Sequence, residues 1–221
     1  MMPSPRPFDR TDSGSGGPER LVLATWNTHK VAELRRILLA AGLTVTLSGL
    51  EEFPDAADVA ETGLTFEENA LLKARVIAAF TGLPSIADDS GLCVDVLNGM
   101  PGIFSARWSG RHGDDQANLD LVVAQISDIT DPHRGAHFAC AAAFARPGGP
   151  ERVVEGRLDG RLTTSPRGDG GFGYDPIFVP DGSDVTTAEM PPEAKDAISH
   201  RGRAFRALAL VIGQDLSAQP G

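Results

Sequence analysis

The sequence has no run of about 18 apolar residues and no apolar segment near its start, so neither a membrane-spanning helix nor a secretory signal is expected. Cysteine is nearly absent. Cys93 and Cys140 are too few for a disulfide framework or a four-ligand zinc site, and both stand in apolar stretches where small core residues belong. Positive charge is also short: 20 Lys and Arg against 30 Asp and Glu give a net charge of −10. A surface this acidic argues against nucleic-acid binding, whose affinity comes from neutralised phosphates. The expectation is one soluble domain in a reducing cytoplasm.

Lysine is the scarcest cation, represented only by Lys30, Lys73 and Lys195. Where Arg serves almost everywhere, a Lys marks places that need a compact ammonium instead of a planar fork. With 41% hydrophobic residues over 221 positions, a sizeable core is available. Residues 1–19 are rich in Pro, Ser and Gly and read as a disordered tail, leaving one domain over 20–215.

Apolar periodicity predicts a strand over 21–24, a helix from about 30 to Gly42, and a strand over 43–47. An exposed loop spans 51–63. The helix over 65–81 opens with a capping box, in which Glu68 should bond back to the Thr65 amide. Two short strands, 85–87 and 92–97, are expected on either side of Asp88-Asp89-Ser90-Gly91. Further on come a tight turn at 99–102 leading into a helix start at Ser105-Ala106-Arg107, and a helix near 115–127. Strands follow at 136–145, 151–158, 160–165 and 177–179, then a helix over 192–212 interrupted near Ser199-His200. This order predicts a mixed sheet with helices on it.

Several stretches carry chemistry. Thr25-Trp26-Asn27-Thr28-His29-Lys30 joins a strand to a helix start, where free N–H groups and polar side chains favour an anion. Asn69 and Lys73 share a face of the next helix. The adjacent acids Asp88 and Asp89 are costly to crowd without a cation, and their oxygens suit Mg2+; the alternative is a turn closing a hairpin, with Gly91 at positive φ. Glu61 is either a further metal ligand or a surface acid. Arg107 either contacts phosphate or pairs with a structural acid, and reads as structural. Phe172, between glycines, offers a ring on which a base can stack, and Ser199-His200-Arg201 is either a helix cap or a set of donors.

In order along the chain, Thr25-x-Asn27-x-x-Lys30, Thr65-Phe66-Glu67-Glu68-Asn69-Ala70 with Lys73-Ala74, Ala87-Asp88-Asp89-Ser90-Gly91-Leu92, Gly99-x-Pro101-Gly102-x-x-Ser105-Ala106-Arg107, Gly171-Phe172-Gly173-Tyr174-Asp175-Pro176 and Ser199-His200-Arg201 together resemble the inosine-triphosphatase family of nucleoside-triphosphate pyrophosphatases. All three lysines fall in or beside these motifs. The resemblance implies an elongated α/β fold, two lobes around a central cleft on a long twisted mixed sheet, and a homodimer. It also implies Mg2+-dependent hydrolysis of ITP, dITP or XTP to the monophosphate and pyrophosphate.

On this reading Asp89 orients or deprotonates water, Asp88 or Glu61 shares the metal, and Ser90 donates to a phosphate oxygen. Lys30, Lys73 and Lys195 neutralise phosphate charge together with the Thr25 to Lys30 segment. Phe172, Gly173, Tyr174 and Asp175, with His200 and Arg201, hold the base. Relatives often carry a second acid where this chain has Ala60. The competing readings are a Maf-like enzyme acting on dTTP or UTP, and a non-catalytic nucleotide sensor.

Overall fold

The computed structural model describes residues 19–217. The tail expected over 1–19 lies outside the described residues except for Glu19, which already pairs in the first strand. That strand, β1 (Glu19–Leu23), leads through the Thr25-Trp26-Asn27 connection into helix α1 (Thr28–Ala40) and strand β2 (Val45–Ser48). Helix α2 (Phe66–Thr81) starts at Thr65, whose hydroxyl accepts from the Glu68 amide, and stops at Gly82 in the left-handed conformation. Glu68 reaches back one residue further than expected, accepting from the Leu64 amide at 2.7 Å.

The largest departure from expectation is β3 (Ser85–Val94). Asp88-Asp89-Ser90-Gly91 is neither a turn nor a gap between two strands. It is the middle of one ten-residue strand, paired throughout with β5 (Gly135–Ala145). The polar residues hide the strand from an apolar pattern, but the backbone ladder is continuous. Gly91 is extended, and a Cβ there would meet the Gly102 carbonyl at 2.4 Å and the Ser105 hydroxyl at 2.4 Å. Its missing side chain admits the 3-10 turn Gly102–Arg107, which lies where a helix start was expected. The predicted strands 151–158 and 160–165 likewise merge into β6 (Glu151–Leu162).

The sheet runs β2-β1-β3-β5-β6-β7, with β7 (Phe178–Pro180) at one edge and the short β4 (Met100–Pro101) beside β3. β1 pairs in parallel with β2 and β3, and the remaining pairs are antiparallel. The sheet is therefore mixed, as expected.

Side chains alternate between its two faces. On one face, Ile86, Cys140, Ala142 and Phe144 pack against α1 and helix α5 (His200–Ser217). Further along the same face, Leu92, Val94 and Phe138 pack with helix α3 (Asp115–Gln125). A cleft lies between these two groups. Beside α3, the fully buried Arg134 guanidinium donates to the carbonyls of Ile126, Ile129, Leu162 and Thr163.

The opposite face holds α2 through an all-alanine seam: Ala70, Ala74 and Ala78 meet Ala87, Ala141, Ala143 and Ala145. Small side chains on both sides let the helix backbone come close to the sheet. The predicted helix over 192–212 is two helices, α4 (Pro192–Ile198) and α5, divided at Ser199 as anticipated. Among the described residues no helix is long and apolar enough to cross a membrane.

The start of α5 lies directly on β6. A Cβ at Gly156 would stand 2.0 Å from the His200 carbonyl and 2.5 Å from the Ala204 amide. Backbone atoms cannot swing aside, so Gly156→Ala should cost about 1–3 kcal/mol through overpacking. Urea unfolding with an unchanged m-value checks this; a midpoint equal to that of the parent would show that α5 shifts freely.

Candidate active site

Alternation along β3 sends the two adjacent acids to opposite faces of the sheet. Asp88 meets Lys30 from α1, whose Nζ lies 2.9 Å from both carboxylate oxygens, and Arg201 from α5, whose Nε is 3.2 Å from Oδ2. Ser90, two residues on and on the same face, is 3.3 Å from Arg201 Nη2. Asp89 faces α2 instead: Asn69 Nδ2 donates to its Oδ2 at 3.0 Å, and Lys73 Nζ lies 3.9 Å from Oδ1. The Asn69 side-chain oxygen accepts from the Gly63 amide, which fixes the orientation of the amide group. Lys73 also holds Glu61 at 2.6 Å, and Arg107 approaches Glu61 at 3.5 Å. The acids are therefore not crowded together; each has its own cations.

Their protonation differs accordingly. Burial alone would raise the Asp88 carboxyl, but the charges of Lys30, Arg201 and Lys73 outweigh it and hold the group below the ordinary carboxylate range. Asp89 goes the other way. Burial dominates, the neighbouring charges of Glu61 and Asp88 add to it, and the carboxyl is pushed up to about 6. Burial opposes the charge on Lys73, yet Asp89, Asp88 and Glu61 together raise its pKa and keep it an ammonium.

Two cavities flank this ridge. The smaller, about 470 Å³, opens between α1 and α5 on one side and the Gly-rich loop on the other, and Lys30, Ser90, Phe172, Lys195, His200 and Arg201 line it. The Phe172 ring is 62% exposed, with Lys195 Nζ 4.8 Å and Arg201 Cζ 5.9 Å from its centre. His200 stacks on Phe138 at 4.9 Å. Burial, with the charges of Arg201 and Lys195, pushes its pKa down to about 3, so the imidazole is neutral at pH 7. The larger cavity, about 760 Å³, is lined by Thr25, Trp26, Glu61, Lys73 and Arg107 among others. Asn27 lines both, so the two meet at the β1–α1 connection.

Most residues singled out in the sequence come together here, but several do so differently from expectation. Thr28 and His29 stand in the first turn of α1, and Thr28 lines neither cavity. Trp26 lines the larger cavity, but its only polar group, the indole N–H, donates to Asp58 at 3.2 Å. The Thr25 hydroxyl accepts from the Asn27 amide. Tyr174 and Asp175 line the smaller cavity, yet their polar atoms organise the loop. The Tyr174 hydroxyl donates to the Ser105 carbonyl, and buried Asp175 accepts from the Phe172 amide, Thr187 and Lys195.

Some residues had escaped notice. Glu33 on α1 lines the smaller cavity, and its position three residues after Lys30 was the signal available for it. Asp115 accepts from the Gly173 amide and has no such signal. Arg107, read as structural, belongs to the larger cavity.

Asp88 is a poor metal ligand here, because its oxygens are engaged by two cations. Among the described residues no group of three or more His, Cys, Asp and Glu is placed to hold a metal ion. Mg2+ needs only one or two protein carboxylates, completing its shell with water and phosphate oxygens. Asp89, whose nearest cation is 3.9 Å away, fits that requirement, and Glu61 is a second hard oxygen donor once Lys73 and Arg107 turn from it to a phosphate.

Residues 21–211 match the Ham1 family model. The dITP/XTP pyrophosphatase of Streptomyces coelicolor is 66% identical over 193 residues, covering 87% of this chain and 96% of the relative. Among solved structures, the nucleoside-triphosphatase / dITP/XTP pyrophosphatase of Mycobacterium abscessus is 55% identical with a TM-score of 0.74, covering 86% of this chain and 97% of its own. The HAM1 protein of Coxiella burnetii is 39% identical with a TM-score of 0.82, covering 89% and 99%.

The depressed His200 pKa has a consequence for stability. In the unfolded chain the imidazole takes up a proton near its ordinary value of about 6.5, whereas the folded one resists until about 3. Over that window the unfolded state binds more protons, so stability falls as the pH falls. His200→Phe, which keeps a ring against Phe138, should lose less stability than the parent between pH 7 and about 4.5. Urea midpoints across that range measure it; identical slopes would mean that His200 is not the buried titrating group.

Proposed function

The chain belongs to the Ham1 family, and from that premise we propose that it hydrolyses purine nucleoside triphosphates bearing a C6 oxygen, namely ITP, dITP and XTP, to the monophosphate and pyrophosphate. The observation that carries this reading is the pair of joined cavities, one built for a flat ring and the other lined by Lys73, Arg107 and Glu61, with Asp89 behind Lys73. The same reading makes the protein a cytoplasmic homodimer that removes non-standard nucleotides.

The base enters the smaller cavity against Phe172. Arg201 and the neutral His200 supply N–H donors there, which suit a C6 oxygen and oppose the amino group of adenine. The triphosphate crosses Asn27 toward Lys73 and Arg107, with Lys30, Ser90 and Lys195 around the α-phosphate end. Asp89 and Glu61 would hold Mg2+, which supplies charge neutralisation at the phosphate oxygens.

Asp89, oriented by Asn69, accepts a proton from water as the oxygen attacks the α-phosphorus. The bond from that phosphorus to the bridging oxygen breaks, and pyrophosphate leaves. Lys73, kept charged by its acidic neighbours, stabilises the negative charge on the departing group.

Two measurements test this. Pyrophosphate release from ITP, XTP, ATP and dTTP should favour the first two over ATP by about 10³, the scale of leaving buried donors facing donors. A preference for dTTP would instead support the Maf-like reading. Separately, Asp89→Asn should fold normally and lose about a hundredfold or more in turnover. Near-parental turnover in a folded variant would remove Asp89 from the chemistry.

A further inference from the structure

Residues 53–65 carry no helix or strand, yet they deliver Glu61 to the site. Glu61 is gripped at its tip by Lys73 and Arg107, which line the same cavity. On the function proposed above, a polyphosphate competes for both cations, so that grip weakens as substrate arrives. Something else must keep the segment in place. Its upstream half has three apolar anchors: buried Ala56, and Phe53 and Val59 resting on the cluster that contains Val22, Leu50 and Ile77. Three residues before Glu61, Asp58 accepts the Trp26 indole N–H at 3.2 Å.

That contact joins the β1–α1 connection to the 53–65 segment, two walls of the larger cavity. An indole nitrogen donates and never accepts, so the partner has to be an acceptor, and a carboxylate makes the stronger bond. Trp26 is 47% exposed and belongs to none of the hydrophobic clusters among the described residues, so the Asp58 bond is the contact that fixes its ring. We propose that Trp26 and Asp58 are positioning residues, a latch across the larger cavity that holds Glu61 beside Asp89 when substrate takes Lys73 and Arg107. Neither residue touches the reacting atoms. The inference rests on the proposed function for its catalytic consequence, but the latch itself does not.

The test uses the full chain with Trp26→Phe, Asp58→Ala, Asp58→Asn and the double variant Trp26→Phe/Asp58→Ala. Phe keeps a ring without the N–H, Ala removes the acceptor, and Asn retains an acceptor oxygen. Without substrate, amide hydrogen exchange over residues 55–62 should quicken about tenfold in Trp26→Phe and Asp58→Ala, with the rest of the chain unchanged. In ITP hydrolysis the same two should raise KM about five- to tenfold with kcat within about twofold. The double variant should be no worse than either single one, and Asp58→Asn should restore most of the loss. Unchanged exchange in both single variants, or effects that multiply in the double, would overturn the latch. So would quickened exchange with an unchanged KM. The exchange arm needs no substrate, so it judges the latch even if ITP hydrolysis itself is absent.

Discussion

Two neighbouring carboxylates buried in the middle of one strand have to find separate partners, and the architecture of this protein answers that requirement. A strand cannot point successive side chains the same way, so Asp88 and Asp89 emerge on opposite faces. Each then demands positive charge or hydrogen bonds from whatever covers its face. On the Asp88 face these come from α1 and α5, through Lys30 and Arg201. On the Asp89 face they come from α2, through Asn69 and Lys73. Helices packed on both faces of the sheet are thus electrostatic necessities as well as hydrophobic ones.

The two faces are not equivalent. Asp88 is saturated by close cations and serves as a fixed negative post that orients Lys30 and Arg201 toward the smaller cavity. Asp89 is less fully compensated, with two neutral donors, the Asn69 side-chain amide and the Ser90 backbone amide, and an ammonium 3.9 Å away. Identical side chains one residue apart therefore differ in protonation behaviour, and the difference is one of environment alone. The scarcity of lysine fits this division. Lys73 fills a narrow space between Glu61 and Asp89, and Lys195 reaches both Asp175 and the Phe172 ring, tasks for a slim stem with a point charge.

Much of this was legible in the sequence. Helix α2, its cap at Thr65 and its end at Gly82 follow local rules, and structure agrees with them to within a residue. The ordered motifs also marked most of the residues that line the smaller cavity, whereas much of the larger one, Asp58, Val59 and His112 among them, lies outside any motif. What could not be read was long-range. Strand β3 was broken into two because Asp88, Asp89 and Ser90 lack apolar character, and only pairing with β5 reveals the ladder through them. The polar groups of Tyr174 and Asp175 serve the loop, and that depends on Ser105 and Thr187, far away in the chain. The local motif pairs Glu68 with the Thr65 amide, one residue short of its actual partner Leu64, next to Gly63, whose amide Asn69 accepts.

The alanine seam beneath α2 leaves the site with an asymmetric future under mutation. Ordinary cores drift by trading a methylene here for one there, but a contact made of the smallest chiral residues has nothing to give up. Almost every available exchange at Ala70, Ala74, Ala78 or their strand partners adds volume and lifts the helix outward. Asn69 and Lys73 are carried on that helix and would move together, away from Asp89. Natural variation at the seam is therefore constrained by side-chain volume even where no alanine faces either cavity.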